Sequence, residues 1–138
     1  MSFVKNMKSI NWDDQDIGTS EIDAVLKSLS NGVGAKGENL EFLEKEFQEK
    51  LKCKHAILVS NCTTALHLAL VALDIKPGDE VIVPAFTWVS TANAIMYCGA
   101  KPVFIDIDIN TFNINVNQLK NKITRNTKAV IPVHLFGL

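Results

Sequence analysis

The sequence lacks the features of secreted and membrane proteins. It contains no run of about 18 apolar residues, so it predicts no transmembrane helix. Its first residues, Met1–Asn6, carry no apolar signal core. The 3 cysteines form no CxxC pair, which predicts reduced, mostly buried thiols rather than disulfides or a metal site. These absences together favour a cytoplasmic protein.

Neither sign of charge is in excess. The chain has 14 Lys and Arg against 15 Asp and Glu, a formal net charge of -1. This balance argues against a nucleic-acid-binding or membrane-surface protein, because both need a basic surface. Hydrophobic residues make up 47% of the chain, which is enough for the core of one domain.

The apolar pattern changes along the chain from helical periodicity to short buried strands that alternate with helices. Such alternation predicts an α/β fold, with three α/β/α layers around a mainly parallel sheet. Two amphipathic helices come first, from Thr19 or Ser20 to Asn31 and from Leu40 to Leu51. The predicted elements that follow are strand His55–Val59, helix Thr63–Leu73, strand Glu80–Val83, helix Thr87–Cys98 ended by Gly99, strand Pro102–Asp106, helix Val116–Ile123 and strand Ala129–Val133.

The chain divides into two predicted parts. Residues 1–37 form an arm, a helix and a glycine-rich loop, and residues 38–138 form the first part of a larger α/β domain. The last residues, Val130–Leu138, have the pattern of a buried strand that enters a loop. We therefore expect the chain to be the front part of a longer protein.

A phosphate-binding turn is predicted where the first predicted strand gives way to a helix. Small polar residues, Ser60–Thr64, stand at this point. A helix N-terminus presents unpaired N–H groups and a partial positive charge, which suit an anion. The alternative is an ordinary capped helix in which Thr63 satisfies backbone donors, and the pattern alone favours neither. Trp88 follows the next strand at the same sheet edge, where it can stack on a flat ring or belong to the core.

A second candidate for phosphate binding is the glycine-rich loop, Gly32–Gly37, which matches the dinucleotide-binding pattern GxGxxG. That pattern needs a preceding strand and an acidic residue about 20 positions later. Here a predicted helix, not a strand, precedes the segment. The basic residue Lys54 stands near the place where the pattern needs an acidic residue. We therefore interpret the segment as a connecting loop. Asp106 and Asp108 follow a predicted strand and are interpreted as turn-capping groups.

Several motifs occur in one order and resemble the pyridoxal-phosphate-dependent sugar aminotransferases of the DegT/DnrJ/StrS type. They are Asn61–Leu70, Lys76–Pro84, Phe86–Asn93, Gly99–Asp108 and Ile131–Gly137. The resemblance runs from about Ile17 to the end. It implies a fold-type I aminotransferase, with residues 38–138 as the first part of its cofactor-binding large domain.

The resemblance also implies a cofactor, pyridoxal 5'-phosphate, and roles for particular residues. Thr63 and the backbone of Thr64 would hold the cofactor phosphate, and Trp88 would stack on the pyridine ring. The sequence departs from the family at Cys62, where glycine is usual, and at Thr64, where a smaller residue is usual. A side chain at position 62 could crowd the backbone approach to phosphate.

The implied reaction transfers an amino group, with glutamate as the donor, to a nucleotide-linked keto-sugar for surface polysaccharide. The implied assembly is a homodimer. The Schiff-base lysine is expected beyond Leu138, since Lys36, Lys76, Lys101 and Lys128 match no catalytic lysine of the pattern, and the chain alone is expected to be inactive. Two alternatives stay open: a non-catalytic binding or regulatory relic of the same fold, and a nicotinamide-dependent oxidoreductase.

Overall fold

The computed structural model describes residues 15–32 and 37–138. The helices are α1 (Thr19–Ser30), α2 (Glu38–Leu51), α3 (Cys62–Ala72), α4 (Ser90–Tyr97) and α5 (Val116–Lys122), with a short 3-10 turn at Leu135–Gly137. The strands are β1 (Glu80–Pro84), β2 (Lys101–Ile105) and β3 (Thr127–Val130). The chain divides into two compact units between residues 58 and 59. Residues 1–14, which make up most of the predicted arm (1–17), and positions 33–36 of the glycine-rich loop lie outside the described residues.

The first unit contains α1 and α2, and both predicted helices are confirmed. Helix α1 begins after Gly18, whose N–H donates to the Glu21 carboxylate at 2.8 Å, an arrangement that satisfies one of the unpaired donors of a helix start. Neither helix contains a buried residue. Most of their large apolar residues are exposed, and these are Ile22, Val25, Leu26, Leu29, Phe42, Leu43, Phe47 and Leu51.

The predicted strand at residues 55–59 is wrong, since the structure assigns none there. A strand needs a neighbour that accepts and donates backbone hydrogen bonds, and within the described chain this segment has no such neighbour. The N–H of Leu58 instead donates to the Glu44 carboxylate at 2.9 Å.

The second unit is built on a parallel sheet with strand order β2-β1-β3. Central strand β1 places Ile82 between Val103 and Val130. The crossovers β1–α4–β2 and β2–α5–β3 run in opposite directions along the sheet. Because such connections are right-handed, α4 and α5 lie on opposite faces. The predicted α/β class with a parallel sheet is confirmed.

The core of this unit lies between β1 and the helix pair α3 and α4. Val81 and Val83 project to one face of the sheet and cluster with Leu70, Ala94 and Ile95, each at most 3% exposed. Burial of such a side chain contributes about 1.5–3 kcal/mol relative to leaving it in water. This packing fixes α3 and α4 side by side above the sheet, with their N-termini available for a site.

Helix α4 ends at a Schellman motif. The prediction that Gly99 ends this helix is therefore confirmed. The N–H of Gly99 donates to Met96 O at 2.9 Å, and the N–H of Ala100 donates to Ile95 O at 3.2 Å. Gly99 has φ +71, a conformation that side-chain-bearing residues rarely adopt. The chain can therefore turn at once from α4 into β2.

The cysteines are less buried than predicted. Cys53 and Cys62 are exposed, and Cys98 is half-buried. Cys62 is the first residue of α3 and Cys53 follows the end of α2, and helix ends face solvent more than helix centres do. Among residues 15–32 and 37–138, no helix is long and apolar enough to cross a bilayer.

Candidate functional site

The N-terminus of α3 is capped by Asn61. Its side-chain oxygen accepts the Thr64 N–H at 2.9 Å and the Thr64 hydroxyl at 3.1 Å. The N–H groups of Cys62 and Thr63 have no acceptor among the residues that the structure describes. The Thr64 N–H is thus already engaged, and the unpaired donors at this helix start belong to the two preceding residues.

The hydroxyl of Thr63 does not cap the helix. It donates to the Ser90 hydroxyl oxygen at 2.9 Å, in a half-buried contact between α3 and α4. Helix α3 is therefore a capped helix, as the alternative expected, but the cap is Asn61 rather than Thr63, and it satisfies only the Thr64 N–H among the backbone donors. The contact joins the predicted phosphate turn to the first residue of the neighbouring helix.

Trp88 lies in the turn between β1 and α4. Its side chain is 73% exposed, so the alternative of a core tryptophan is wrong. The turn is nevertheless well held, since Trp88 O accepts the Thr91 N–H at 3.0 Å and the hydroxyls of Thr87 and Thr91 lie 3.1 Å apart. Thr91 itself is 5% exposed. The indole is thus an exposed aromatic surface on a fixed piece of backbone.

The structure brings the predicted site residues into one neighbourhood. Thr63 and Thr64 lie in the first turn of α3, and Thr63 contacts Ser90, which is two residues from Trp88. Sequence reasoning did not single out Ser90 or the capping role of Asn61. A signal for Asn61 was present, since asparagine directly before a helix is a preferred cap, whereas the partner of Ser90 depends on how two helices pack.

The departure at Cys62 is compatible with an anion at this helix start. The backbone of Cys62 is helical and is absent from the positive-φ positions of the described chain, so no conformation reserved for glycine is needed. The side chain is exposed. Residues 60–64 and 85–93 contain no acidic side chain that would repel an anion. Two N–H groups, the helix dipole and the Thr63 hydroxyl fit a phosphate group.

The loop after β2 is organised by its own carboxylates. Asp106 accepts the Ile107 N–H at 2.8 Å, and Asp108 accepts the Asn110 N–H at 2.8 Å. These contacts confirm the interpretation of both residues as turn-capping groups.

An aromatic chain links the loops that follow the three strands. Phe86, Phe112 and Phe136 contact in sequence, with ring centroids 5.8 Å and 5.9 Å apart. These loops stand at the carboxyl ends of the strands, where open α/β sheets bind ligands.

Two lysines of the second unit are committed to ion pairs away from this edge. Lys101 lies 3.0 Å from Glu80, and both residues begin their strands at the opposite end of the sheet. Lys76 lies 2.7 Å from Asp74, whose carboxylate raises the pKa of the Lys76 ammonium. A Schiff-base lysine must be a free amine near the cofactor, and neither residue meets that need.

Comparison with known proteins identifies the family. The profile of the DegT/DnrJ/EryC1/StrS aminotransferase family matches residues 15–138. The chain belongs to this family. GDP-perosamine synthase of Caulobacter vibrioides is 48% identical over 119 residues, which is 86% of this chain and 32% of the relative. The spore coat polysaccharide biosynthesis protein SpsC of Bacillus subtilis is 50% identical over 121 residues, 88% of this chain and 31% of the relative. The chain thus spans about a third of the length of both relatives.

Solved structures of the family share the fold. The sugar aminotransferase Spr1654 of Streptococcus pneumoniae in its PLP form has a TM-score of 0.81 at 37% identity, covering 87% of this chain and 31% of that one. An aminotransferase of Psychrobacter cryohalolentis has a TM-score of 0.81 at 40% identity, with the corresponding coverages 87% and 31%. The parallel sheet is therefore part of the fold-type I aminotransferase architecture.

Proposed function

We propose that this chain is the N-terminal part of a pyridoxal 5'-phosphate-dependent aminotransferase that acts on a nucleotide-linked keto-sugar. The donor would be glutamate, and the product an amino-sugar for surface polysaccharide. Family membership supports the reaction class. The relatives named for GDP-perosamine synthesis and spore coat polysaccharide support the substrate class.

The observation that carries the proposal is the hydrogen bond between Thr63 and Ser90. It joins the anion-compatible start of α3 to the first residue of α4, two positions after the exposed Trp88, and this supports the proposal because pyridoxal phosphate needs both a phosphate contact and a ring contact. The N–H groups of Cys62 and Thr63 and the Thr63 hydroxyl would hold the phosphate, with Thr64 supporting the turn through its contacts to Asn61. Trp88 would lie against the pyridine ring and shield it from water. Pyridoxal phosphate, when bound, supplies the electron sink for the amino transfer.

The proposal includes the rest of the protein. Residues 38–138 would form the first part of the cofactor-binding large domain, preceded by the arm, helix and loop of residues 1–37. The Schiff-base lysine would lie beyond Leu138. We propose a homodimer, supported by the apolar side chains that α1 and α2 leave exposed. The three free cysteines suit the reducing cytoplasm, where we place the enzyme.

The test is a titration of the intact protein with pyridoxal phosphate, followed by absorbance, and then an assay with glutamate and keto-sugar nucleotides. We expect saturable cofactor binding and formation of 2-oxoglutarate with the amino-sugar nucleotide. An intact protein that binds NADH but not pyridoxal phosphate would refute the proposal. Cofactor binding without turnover, together with no lysine beyond Leu138 that forms a Schiff base, would favour the non-catalytic relic instead.

A further inference from the structure

Ser90 makes a hydrogen bond that joins α4 to α3. It is the first residue of α4, two positions after Trp88, and its hydroxyl accepts the Thr63 hydroxyl at 2.9 Å. The contact is half-buried and spans 27 positions of the sequence. It is therefore a tertiary link between the two turns of the proposed cofactor site.

We propose that Ser90 is a positioning residue that orients the Thr63 hydroxyl toward the cofactor phosphate. This inference rests on the proposed function. A hydroxyl has one proton to donate and two lone pairs that accept. When Thr63 donates its proton to a phosphate oxygen, the Ser90 hydroxyl rotates and donates to the Thr63 oxygen, so the contact is kept with its direction reversed. No covalent bond changes in this exchange.

Within its own turn, Thr63 has no hydroxyl partner that would fix its side-chain rotamer, because the other hydroxyls there are bonded to one another or to Asn61. The Thr64 hydroxyl is held by Asn61 at 3.1 Å and lies 3.4 Å from the Ser60 hydroxyl. Threonine in a helix divides between two χ1 rotamers because its hydroxyl can also bond a preceding carbonyl. Ser90 favours the rotamer of Thr63 that faces α4.

The reversed hydrogen bond also improves Thr63 as a donor. A hydroxyl that accepts a hydrogen bond becomes a stronger donor to its next partner. Within the described chain, Ser90 donates its own proton to no other group, so that proton is available for Thr63. Loss of the Ser90 hydroxyl should therefore weaken the hold on the phosphate and leave the ring contact of Trp88 in place.

The experiment compares the affinity of the intact protein for pyridoxal phosphate and for pyridoxal, which lacks the phosphate. A hydrogen bond of this kind corresponds to about a 2- to 10-fold change in an equilibrium constant. We expect Ser90→Ala to raise the Kd for pyridoxal phosphate by this factor and to leave the Kd for pyridoxal unchanged. Ser90→Thr should restore the affinity, because it keeps the hydroxyl.

A double-mutant cycle and a control variant separate positioning from general damage. In a Thr63→Ala background, Ser90→Ala should have no further effect on the Kd for pyridoxal phosphate. The control is Thr124→Ala, which removes a hydroxyl bonded to Glu80 at the opposite end of the sheet and should leave both affinities unchanged. If Ser90→Ala does not fold, Ser90→Cys, with a weaker donor of similar size, should show the same phosphate-dependent loss.

Two results would overturn the inference while leaving the proposed function intact: an equal loss of affinity for both ligands, or an undiminished effect of Ser90→Ala in the Thr63→Ala background. A wild-type protein that binds neither ligand would refute the proposed function and the role of Ser90 with it.

Discussion

Replacement of Gly99 by alanine tests the junction between α4 and β2. An alanine there would keep φ +71, which costs about 1–2 kcal/mol for a residue with a Cβ. Its Cβ would also lie 2.8 Å from Cγ of Pro77, too close for carbon atoms. Overpacking of this kind costs about 1–3 kcal/mol, because the proline ring or the backbone must shift. We expect Gly99→Ala to lower the free energy of unfolding by about 2–5 kcal/mol.

Gly78 offers a matched control in the same region. It has φ +96, and a Cβ there would meet no atom within 4 Å. Gly78→Ala should therefore show the conformational cost alone, about 1–2 kcal/mol. Pro77→Ala removes Cγ and Cδ and leaves the proline Cβ, which is 3.8 Å away. In that background, Gly99→Ala should cost no more than Gly78→Ala does.

The assay is urea-induced unfolding of the intact protein and its variants, followed by circular dichroism. The difference between the two glycine variants measures the contact with Pro77, and the double-mutant cycle attributes it to the proline ring. Equal losses for Gly99→Ala and Gly78→Ala, with no coupling to Pro77→Ala, would show that the ring moves aside without cost and would refute the reasoning.

Three further predictions concern the site and the sheet. Trp88→Ala should weaken pyridoxal phosphate binding by about 10-fold, whereas Trp88→Phe should keep most of the affinity, as measured by cofactor titration. Because Trp88 is 73% exposed, Trp88→Ala should change the free energy of unfolding by less than about 0.5 kcal/mol, as measured by thermal unfolding. Asn61→Ala removes the cap of α3 and should cost about 1 kcal/mol in urea unfolding, with Asn61→Asp as the control that restores it. The Thr124 hydroxyl and Lys101 lower the pKa of Glu80 below its ordinary 4.5. Their contribution to the free energy of unfolding is therefore present above pH 4.5 and is lost as the pH falls below it and Glu80 becomes protonated. Thr124→Ala should therefore reduce the loss of stability on acidification, measured from pH 6 to 3; an unchanged pH dependence would contradict this assignment.

The sequence predicted the fold where the signal was local and repeated. Eight of the nine predicted helices and strands, from the helix near Thr19 to the strand near Ala129, are found in the described residues, because apolar periodicity marks them and a glycine or proline often marks where they stop. Helix α4 begins at Ser90 rather than at Thr87. The prediction failed at residues 55–59, where the apolar pattern was that of a strand. Strand formation depends on a hydrogen-bonding neighbour, which no local pattern reveals.

The candidate residues of the site could be chosen from the sequence, but the contacts between them could not. Helix-start chemistry and the carboxyl-end rule indicated Thr63 and Trp88 without knowledge of their packing. The Thr63–Ser90 hydrogen bond could not be predicted, because it depends on the relative placement of α3 and α4 and joins residues 27 positions apart. The hydrogen bond from the Thr64 N–H to Asn61 depends on the side-chain rotamer of Asn61, which the sequence does not determine.

The exposed apolar residues of α1 and α2 affect how binding to this polypeptide must be measured. Residues such as Leu26 and Phe42 are 57% and 64% exposed, so each helix presents apolar surface to solvent. We therefore expect the chain by itself to bind hydrophobic dyes such as ANS and to adsorb to plastic surfaces. Ligand measurements on the 138-residue chain by itself therefore need a non-ionic surfactant and a dye-binding blank, or weak adsorption will be counted as affinity.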